Sequence, residues 1–220
     1  MLELVAFLGN PGPKYSRNRH NAGFMLCDKL PFCGDLSWQK KFSGSYAAID
    51  RSRLSAYSGL EFSPATELDG RVHFIKPETY MNLSGKPVNQ AAAFFKIKPD
   101  AILVVHDELE LPPGTLSLKF GGGLGGHNGL RSMKDCLGTA DFWRIRIGIG
   151  RPDNRLPGEG GPPGSGIGIA DWVLSDFDAL EREIANTVLE TAAALLLSAL
   201  TTDPDSLLPA WAKKKVFESS

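Results

Sequence analysis

Two short apolar runs constrain the fold of this chain more than any other feature. Leu2–Leu8 ends on Gly9-Asn10-Pro11-Gly12, and Ala101–His106 ends on His106-Asp107-Glu108. Each is far shorter than an ordinary helix and stops abruptly at polar or turn-forming residues. A run of this length without apolar–polar alternation predicts a strand buried on both faces. Such strands sit in the middle of a sheet that helices cover on both sides, which is the parallel α/β arrangement.

The remaining segments fit that frame. Further strands are predicted at Tyr46–Ile49, Arg53–Tyr57, Val72–Ile75, Thr115–Phe120 and Arg144–Ile149. Helices are predicted over Ala22–Leu30, from Asn82 or Ser84 to Phe95, over Leu130–Leu137 and over Phe177–Leu200. A short terminal helix opens at Asp203-Pro204. The Pro/Gly-rich stretch 153–168 has no periodicity and is expected to be a mobile loop, and residues 176–215 form a helical C-terminal region. No repeat or linker divides the chain. Residues 1–220 therefore read as a single α/β domain with a mixed, largely parallel central sheet flanked by helices.

Charge narrows the function. With 24 Lys+Arg against 25 Asp+Glu the net charge is −1, which excludes a general polycation. The distribution is uneven, however. Residues 1–60 carry +4, 61–118 carry −3, 119–155 carry +4 and 156–220 carry −6. Two basic segments thus offer a local place for an anionic ligand. Three cysteines without CxxC spacing fit a reducing, cytoplasmic setting better than a disulfide framework. The N-terminus lacks a basic n-region, and the longest apolar stretch, Ala192–Leu200, is too short to cross a membrane.

In parallel sheets, ligands gather at the carboxyl ends of the strands. Here those ends deliver Asn10, Asp107 and the glycine-rich run Phe120–Gly129, with His20 close behind the first strand. His20 suits a general base, because imidazole is mostly neutral at pH 7, and Asp107 suits the carboxylate that orients it. Taken alone, the same two residues fit a surface histidine and a strand-end aspartate capping a turn more readily. No GxSxG and no activated cysteine accompany them, so water is the expected nucleophile. The four histidines show no zinc-ligand spacing. The glycine run lacks the GK[ST] of a Walker loop and is not a GxGxxG before a first helix, and it reads as a phosphate cradle or as a tight turn. Asn128 can donate to an oxyanion or cap the next helix. Lys119 and Arg146 can clamp one phosphate or stand as two solvated strand charges. Tyr80, Met81 and Asn82 offer either a surface for a base or ordinary core packing.

Four blocks in order remove much of this ambiguity: LGNPGPKYSRNRHNAGF (8–24), KPETYMNLSGKPV (76–88), VHDELELPPGTLSLKFGGGLGGHNGLRS (105–132) and FWRIRIGIGRP (142–152). Together they resemble the bacterial peptidyl-tRNA hydrolase family. The resemblance implies cleavage of the ester joining a peptidyl group to the 3′ ribose of tRNA. It implies His20 as the base that activates water, Asp107 as its partner, and Asn10 as a residue positioning water or substrate. Tyr15, Tyr80, Asn82 and Asn128 fall on substrate-contacting positions, and Lys119 and Arg146 on a clamp for the tRNA 5′-phosphate. Peptidyl-tRNA is then the partner, with no metal, organic cofactor or membrane involved, and a monomer is expected.

This chain departs from the family pattern in places. Phe7 stands where Gly is frequent, Asn18 where Thr is usual, Leu124 interrupts the glycine run, and 153–168 is longer than in most relatives. A non-catalytic RNA-binding module and a general esterase are the competing readings.

Overall fold

The computed structural model describes residues 1–58, 70–152 and 168–217, so the stretch expected to be a mobile loop lies outside the described residues except at its final glycine. Eight strands form one sheet: β1 (Leu4–Phe7), β2 (Gln39–Lys41), β3 (Gly44–Asp50), β4 (Arg71–Pro77), β5 (Ile102–Glu108), β6 (Thr115–Phe120), β7 (Trp143–Gly148) and β8 (Lys214–Lys215). Their order is β2-β3-β4-β1-β5-β7-β6-β8. The four central strands β4, β1, β5 and β7 are parallel, and the pairs outside them are antiparallel. The two apolar runs that opened the sequence reading are adjacent here, with Leu4 beside Ile102 and Phe7 beside Val105. Every residue of both strands is buried.

Alternating side chains split the core into two layers, as the pleat requires. Val5, Phe7, Leu103, Val105, Ile145 and Ile147 face helices α1 (Ala22–Asp28) and α6 (Ala179–Thr201). A short helix α2 (Ser55–Ser58) closes the far edge of that layer. Leu4, Ala6, Leu8, Ile102 and Val104 face α3 (Gly85–Phe95) and α4 (Asn128–Leu137). A five-residue helix α5 (Ile169–Val173) and a terminal turn α7 (Leu208–Trp211) complete the chain. By length and composition α6 could cross a membrane, yet 61% of its apolar window is buried inside the fold. It is the core helix of this domain. Asp178 and Glu181 start it with a reciprocal capping box, at 2.8 and 2.9 Å.

Several expectations shift on contact with the structure. Arg53–Tyr57 is not a strand: a 3₁₀ turn over Arg51–Leu54 leads into α2. Arg51 is buried and donates to the carbonyls of Leu2 and Leu200, which pins the chain in a turn that local pattern does not signal. The C-terminal region is helical to Trp211 and then adds the edge strand β8 rather than continuing as helix to 215. Helix α3 has no side-chain cap from Ser84; instead Ser132 Oγ of α4 accepts the Gly85 N–H at 3.0 Å. Phe7 is accommodated by stacking on Phe74, with ring centroids 6.3 Å apart.

Candidate active site

The chain order reverses at β1: β4 adds on one side of it and β5 on the other, with crossover helices on opposite faces. A crevice therefore opens between the carboxyl ends of β1 and β5, where such sheets hold ligands. From β1 the chain makes a 3₁₀ turn, Arg19–Asn21, and enters α1. The turn sits tight against the sheet because the second residue of α1, Gly23, lacks a side chain. A Cβ on Gly23 would lie 2.5 Å from the Leu8 carbonyl and 2.7 Å from that of Val105.

This close approach brings His20 to Asp107. His20 Nδ1 is 2.9 and 3.0 Å from the two carboxylate oxygens, with His20 8% and Asp107 2% exposed. A carboxylate only accepts, so Nδ1 carries the proton and Nε2 is left as the basic nitrogen. Burial alone would lower the His20 pKa; the Asp107 charge and hydrogen bond outweigh it, and the net shift is upward. For Asp107, burial would raise the pKa, but His20 and a second imidazole hold it well below the usual carboxylate range.

That second imidazole is His127, which the sequence reading did not assign to the site. Its Nε2 is 3.0 Å from Asp107 Oδ1. Its Nδ1 accepts the N–H groups of Gly129 and Leu130, at 3.1 and 3.3 Å, and so caps α4. The cap forced the two readings of Asn128 apart: His127 does the capping, and Asn128 lies exposed on the crevice wall. His127 can reach back because Gly121, Gly122, Gly125 and Gly126 all have positive φ, from +57° to +83°. Leu124, between them, packs on the α3–α4 layer of the core.

His20, Asp107 and His127 offer ligand atoms within 4.8 Å of one another, as a metal site would. Both His127 nitrogens are already committed. A metal on Nε2 would have to displace the proton while Nδ1 still accepts two N–H groups, which strips the α4 cap or demands an imidazolate. The donor set therefore suits proton chemistry better than metal ligation.

Asn10 is buried beside this centre. Its backbone N–H and C=O bond the Asn21 side chain at 2.8 and 3.0 Å, and its Oδ1 accepts the Met81 N–H at 2.8 Å. A backbone N–H can only donate, so the amide orientation is fixed and Nδ2 remains the unused donor. Through Met81, Asn10 is tied to the segment carrying Tyr80, 58% exposed, and Asn82, also exposed. Tyr15 is half-buried under Lys14, whose ammonium lies 4.6 Å from the ring centroid, and Tyr80 acts on the same ammonium. His20, Asp107 and Asn128 share a crevice of about 140 Å³ whose far wall is Ile169, Ala170 and Val173 of α5.

The wall and the base are fastened together. Arg19 is buried, pairs with Glu181, donates to Ser175 Oγ at 2.5 Å and Asp176 O at 2.8 Å, and lies 3.7 Å from the Trp172 ring centroid. Asn18 Nδ2 donates to the Leu174 carbonyl, and its backbone bridges Asp176. The residue standing in place of the usual Thr thus bonds across to α5 and caps nothing locally.

Lys119 and Arg146 lie on the same face of the sheet. Lys119 is opposite Arg144 across β6–β7, and Arg146 is opposite Ser117 one step along. Arg146 donates from Nε and Nη2 to Glu108 Oε2, at 3.0 and 2.9 Å. Burial, then repulsion from Arg144 and Arg146, lowers the Lys119 pKa, with Glu108 opposing.

The family profile of peptidyl-tRNA hydrolase matches residues 4–218. The chain belongs to the peptidyl-tRNA hydrolase family. A peptidyl-tRNA hydrolase of Treponema pallidum (strain Nichols) is 44% identical over 219 residues, covering 98% of this chain and 97% of that protein. A crystal structure of a peptidyl-tRNA hydrolase in complex with N-propanol superposes with a TM-score of 0.76 at 30% identity, covering 96% of each chain. The peptidyl-tRNA hydrolase of Acinetobacter baumannii gives 0.69 at 32% identity, over 95% of this chain and 91% of that one. As a member of this peptidyl-tRNA hydrolase family the protein is a hydrolase enzyme of translation.

Proposed function

We propose that the enzyme hydrolyses the ester between a peptidyl, or other N-blocked aminoacyl, group and the 3′ ribose of tRNA, returning tRNA from aborted translation. The observation that carries the mechanism is the two-oxygen contact of His20 Nδ1 with Asp107. It leaves Nε2 free to take a proton from water as the water oxygen bonds to the ester carbonyl carbon. Collapse of the tetrahedral intermediate breaks the acyl C–O bond, and the proton returns to the departing ribose oxygen. Asp107 stabilises the imidazolium formed between these two steps, a role that favours a carboxylate kept ionised.

Asn128, exposed in the crevice, serves as donor to the developing oxyanion. Asn10 Nδ2 positions water or the substrate carbonyl, and Tyr15, Tyr80 and Asn82 contact the substrate on either side. Lys119 and Arg146 hold the 5′-phosphate. An ester needs less activation than an amide, so no acyl-enzyme step is required. In this reading the enzyme is a cytoplasmic monomer that acts without metal or organic cofactor.

The deciding experiment compares N-acetyl-aminoacyl-tRNA with unblocked aminoacyl-tRNA, with and without chelator. Rapid chelator-insensitive hydrolysis of the blocked substrate alone is expected. Equal hydrolysis of both, or of simple acyl esters, would make this a general esterase. Salt-dependent tRNA binding without turnover would make it an RNA-binding module.

A further inference from the structure

Arg144 has no role in the mechanism above, yet it is the most unusual cation in the molecule. It stands in β7, 1% exposed, and among the described residues no carboxylate forms an ion pair with it. Its Nη1 donates to the Gly123 carbonyl at 2.8 Å and its Nη2 to that of Gly121, while its buried Nε has no partner. A buried guanidinium hydrogen-bonded only to neutral dipoles has its charge poorly compensated, and Glu108 opposes that only at a distance. Lys119 is directly opposite, and a Cβ on Gly122 would lie 3.1 Å from Lys119 Nζ and 3.5 Å from Arg144 Nη2. With Arg146 one step along, three cations lie around Glu108, whose carboxylate pairs with Arg146 and reaches Lys119 and Arg144 only through its field. Their mutual repulsion and their burial are visible in lowered pKa values for both Lys119 and Arg144.

The same glycine run joins this face to the catalytic centre. At one end its carbonyls are held by Arg144; at the other, His127 bonds Asp107 and Asn128 enters the crevice. Between them Gly125 abuts Glu108, the partner of Arg146, with a Cβ there only 3.2 Å from Oε1. The four positive-φ glycines give the run freedom to settle elsewhere when its anchors are weakened.

We propose that Arg144 is a positioning residue through which phosphate held by Lys119 and Arg146 tightens the Gly121–Gly126 run and sets His127 and Asn128 against Asp107. The proposal rests on the phosphate-clamp reading of Lys119 and Arg146. An anion relieves the repulsion that opposes the closed arrangement, so it binds the ordered run better than the loosened one, which is the differential affinity such coupling needs. The 5′-phosphate then raises the rate of the bound complex in addition to improving binding.

The test measures saturating single-turnover rates and half-saturation concentrations for N-acetyl-aminoacyl-tRNA with and without its 5′-phosphate. In the wild type, removing the phosphate should lower the saturating rate about fivefold or more, the range of ordinary coupling energies, and also weaken binding. In Arg144→Lys, which keeps the charge but lacks the planar fork that holds two carbonyls, the rates with and without phosphate should converge within about twofold while the binding advantage persists. If phosphate removal alters binding but not the saturating rate of the wild type, the coupling is overturned and the clamp stands. A full rate gain retained by Arg144→Lys overturns the assignment to Arg144. If neither quantity responds to the phosphate, and Lys119→Ala leaves tRNA half-saturation unchanged, the clamp reading fails and this proposal with it.

Discussion

At the carboxyl end of β5 one buried carboxylate, Asp107, meets two imidazoles; beside it, on the neighbouring strands β7 and β6, three cations lie around Glu108, which pairs with Arg146 alone. The first arrangement is closed. Every polar atom of Asp107 that faces a histidine is bonded, the His127 tautomer is dictated by the α4 cap, and the His20 tautomer by the carboxylate. The second is open, since Lys119 has no protein partner for its charge among the described residues and Arg144 is met only by carbonyls. Proton transfer needs one defined protonation state before substrate arrives, and saturation supplies it. Anion binding needs a field that remains unmet until the ligand supplies the counter-charge. The contrast teaches that preorganisation here takes two forms, one by satisfaction and one by its deliberate lack.

The largest effects should come from breaking the closed end. His20→Ala removes the proposed base and should cut single-turnover ester cleavage by about 10²–10⁴-fold; near-wild-type cleavage would end the assignment. Asp107→Asn removes a buried charge-assisted hydrogen bond, roughly 1.5–3 kcal/mol, or about 10–100-fold in rate. Its pH dependence is the sharper readout. The proposed mechanism requires neutral His20, so in it the rate falls as pH drops through the His20 pKa. Asp107 raises that pKa against the opposing effect of burial. Without the carboxylate only the lowering effect remains, so the acidic limb should move to lower pH. An unmoved limb would remove Asp107 from the mechanism.

The open face should respond differently in kind. Lys119→Ala deletes one arm of the proposed phosphate clamp at a partly exposed site, so tRNA half-saturation should rise about tenfold, the low end for such bonds. A minimal N-acyl-aminoacyl adenosine ester should lose far less. Unlike the Asp107 change, this one should not lower the melting temperature, because it relieves repulsion toward Arg144 and Arg146. Equal losses on both substrates would erase the distinction between the two regions.

What local sequence revealed follows the same division. The central strands were readable because burial on both faces leaves an unmistakable apolar run; strand ends pointed only weakly to Asn10 and Asp107, with His20 following the first strand, and the roles expected of them came from the family resemblance. Four things were not readable. The β2 edge strand, all exposed, carries no burial pattern. Arg51–Leu54 turns rather than extends because distant carbonyls of Leu2 and Leu200 capture Arg51. His127 joins the catalytic carboxylate only through a run of left-handed glycines, a conformation composition permits without specifying. Arg144 escaped notice for a related reason: only strand register sets it opposite Lys119. The signal that could have found His127 is its position directly before a helix, where a residue with an acceptor is needed.

The smallest expected effect concerns how the closed end is mounted. Arg19 fastens the His20 turn to α6 through Glu181 and to α5 and its exit through the face of Trp172 and the carbonyls of Ser175 and Asp176, whereas Asn18 adds one hydrogen bond to Leu174 O. Its backbone bridge to Asp176 survives loss of the side chain. Asn18→Ala should therefore cost about 1 kcal/mol, the worth of one ordinary hydrogen bond, and lower the melting temperature by about 2–4 °C for a chain of this size. The His20–Asp107 contact does not pass through Asn18, so the acidic limb of the pH–rate profile should stay in place. A thermal scan beside that profile separates the outcomes. If the limb moves with Asn18→Ala, the mount and the proton network are one unit, and the closed end extends to α5; if only the melting point falls, the mount is scaffold and the closed end stops at Asp107 and its two imidazoles.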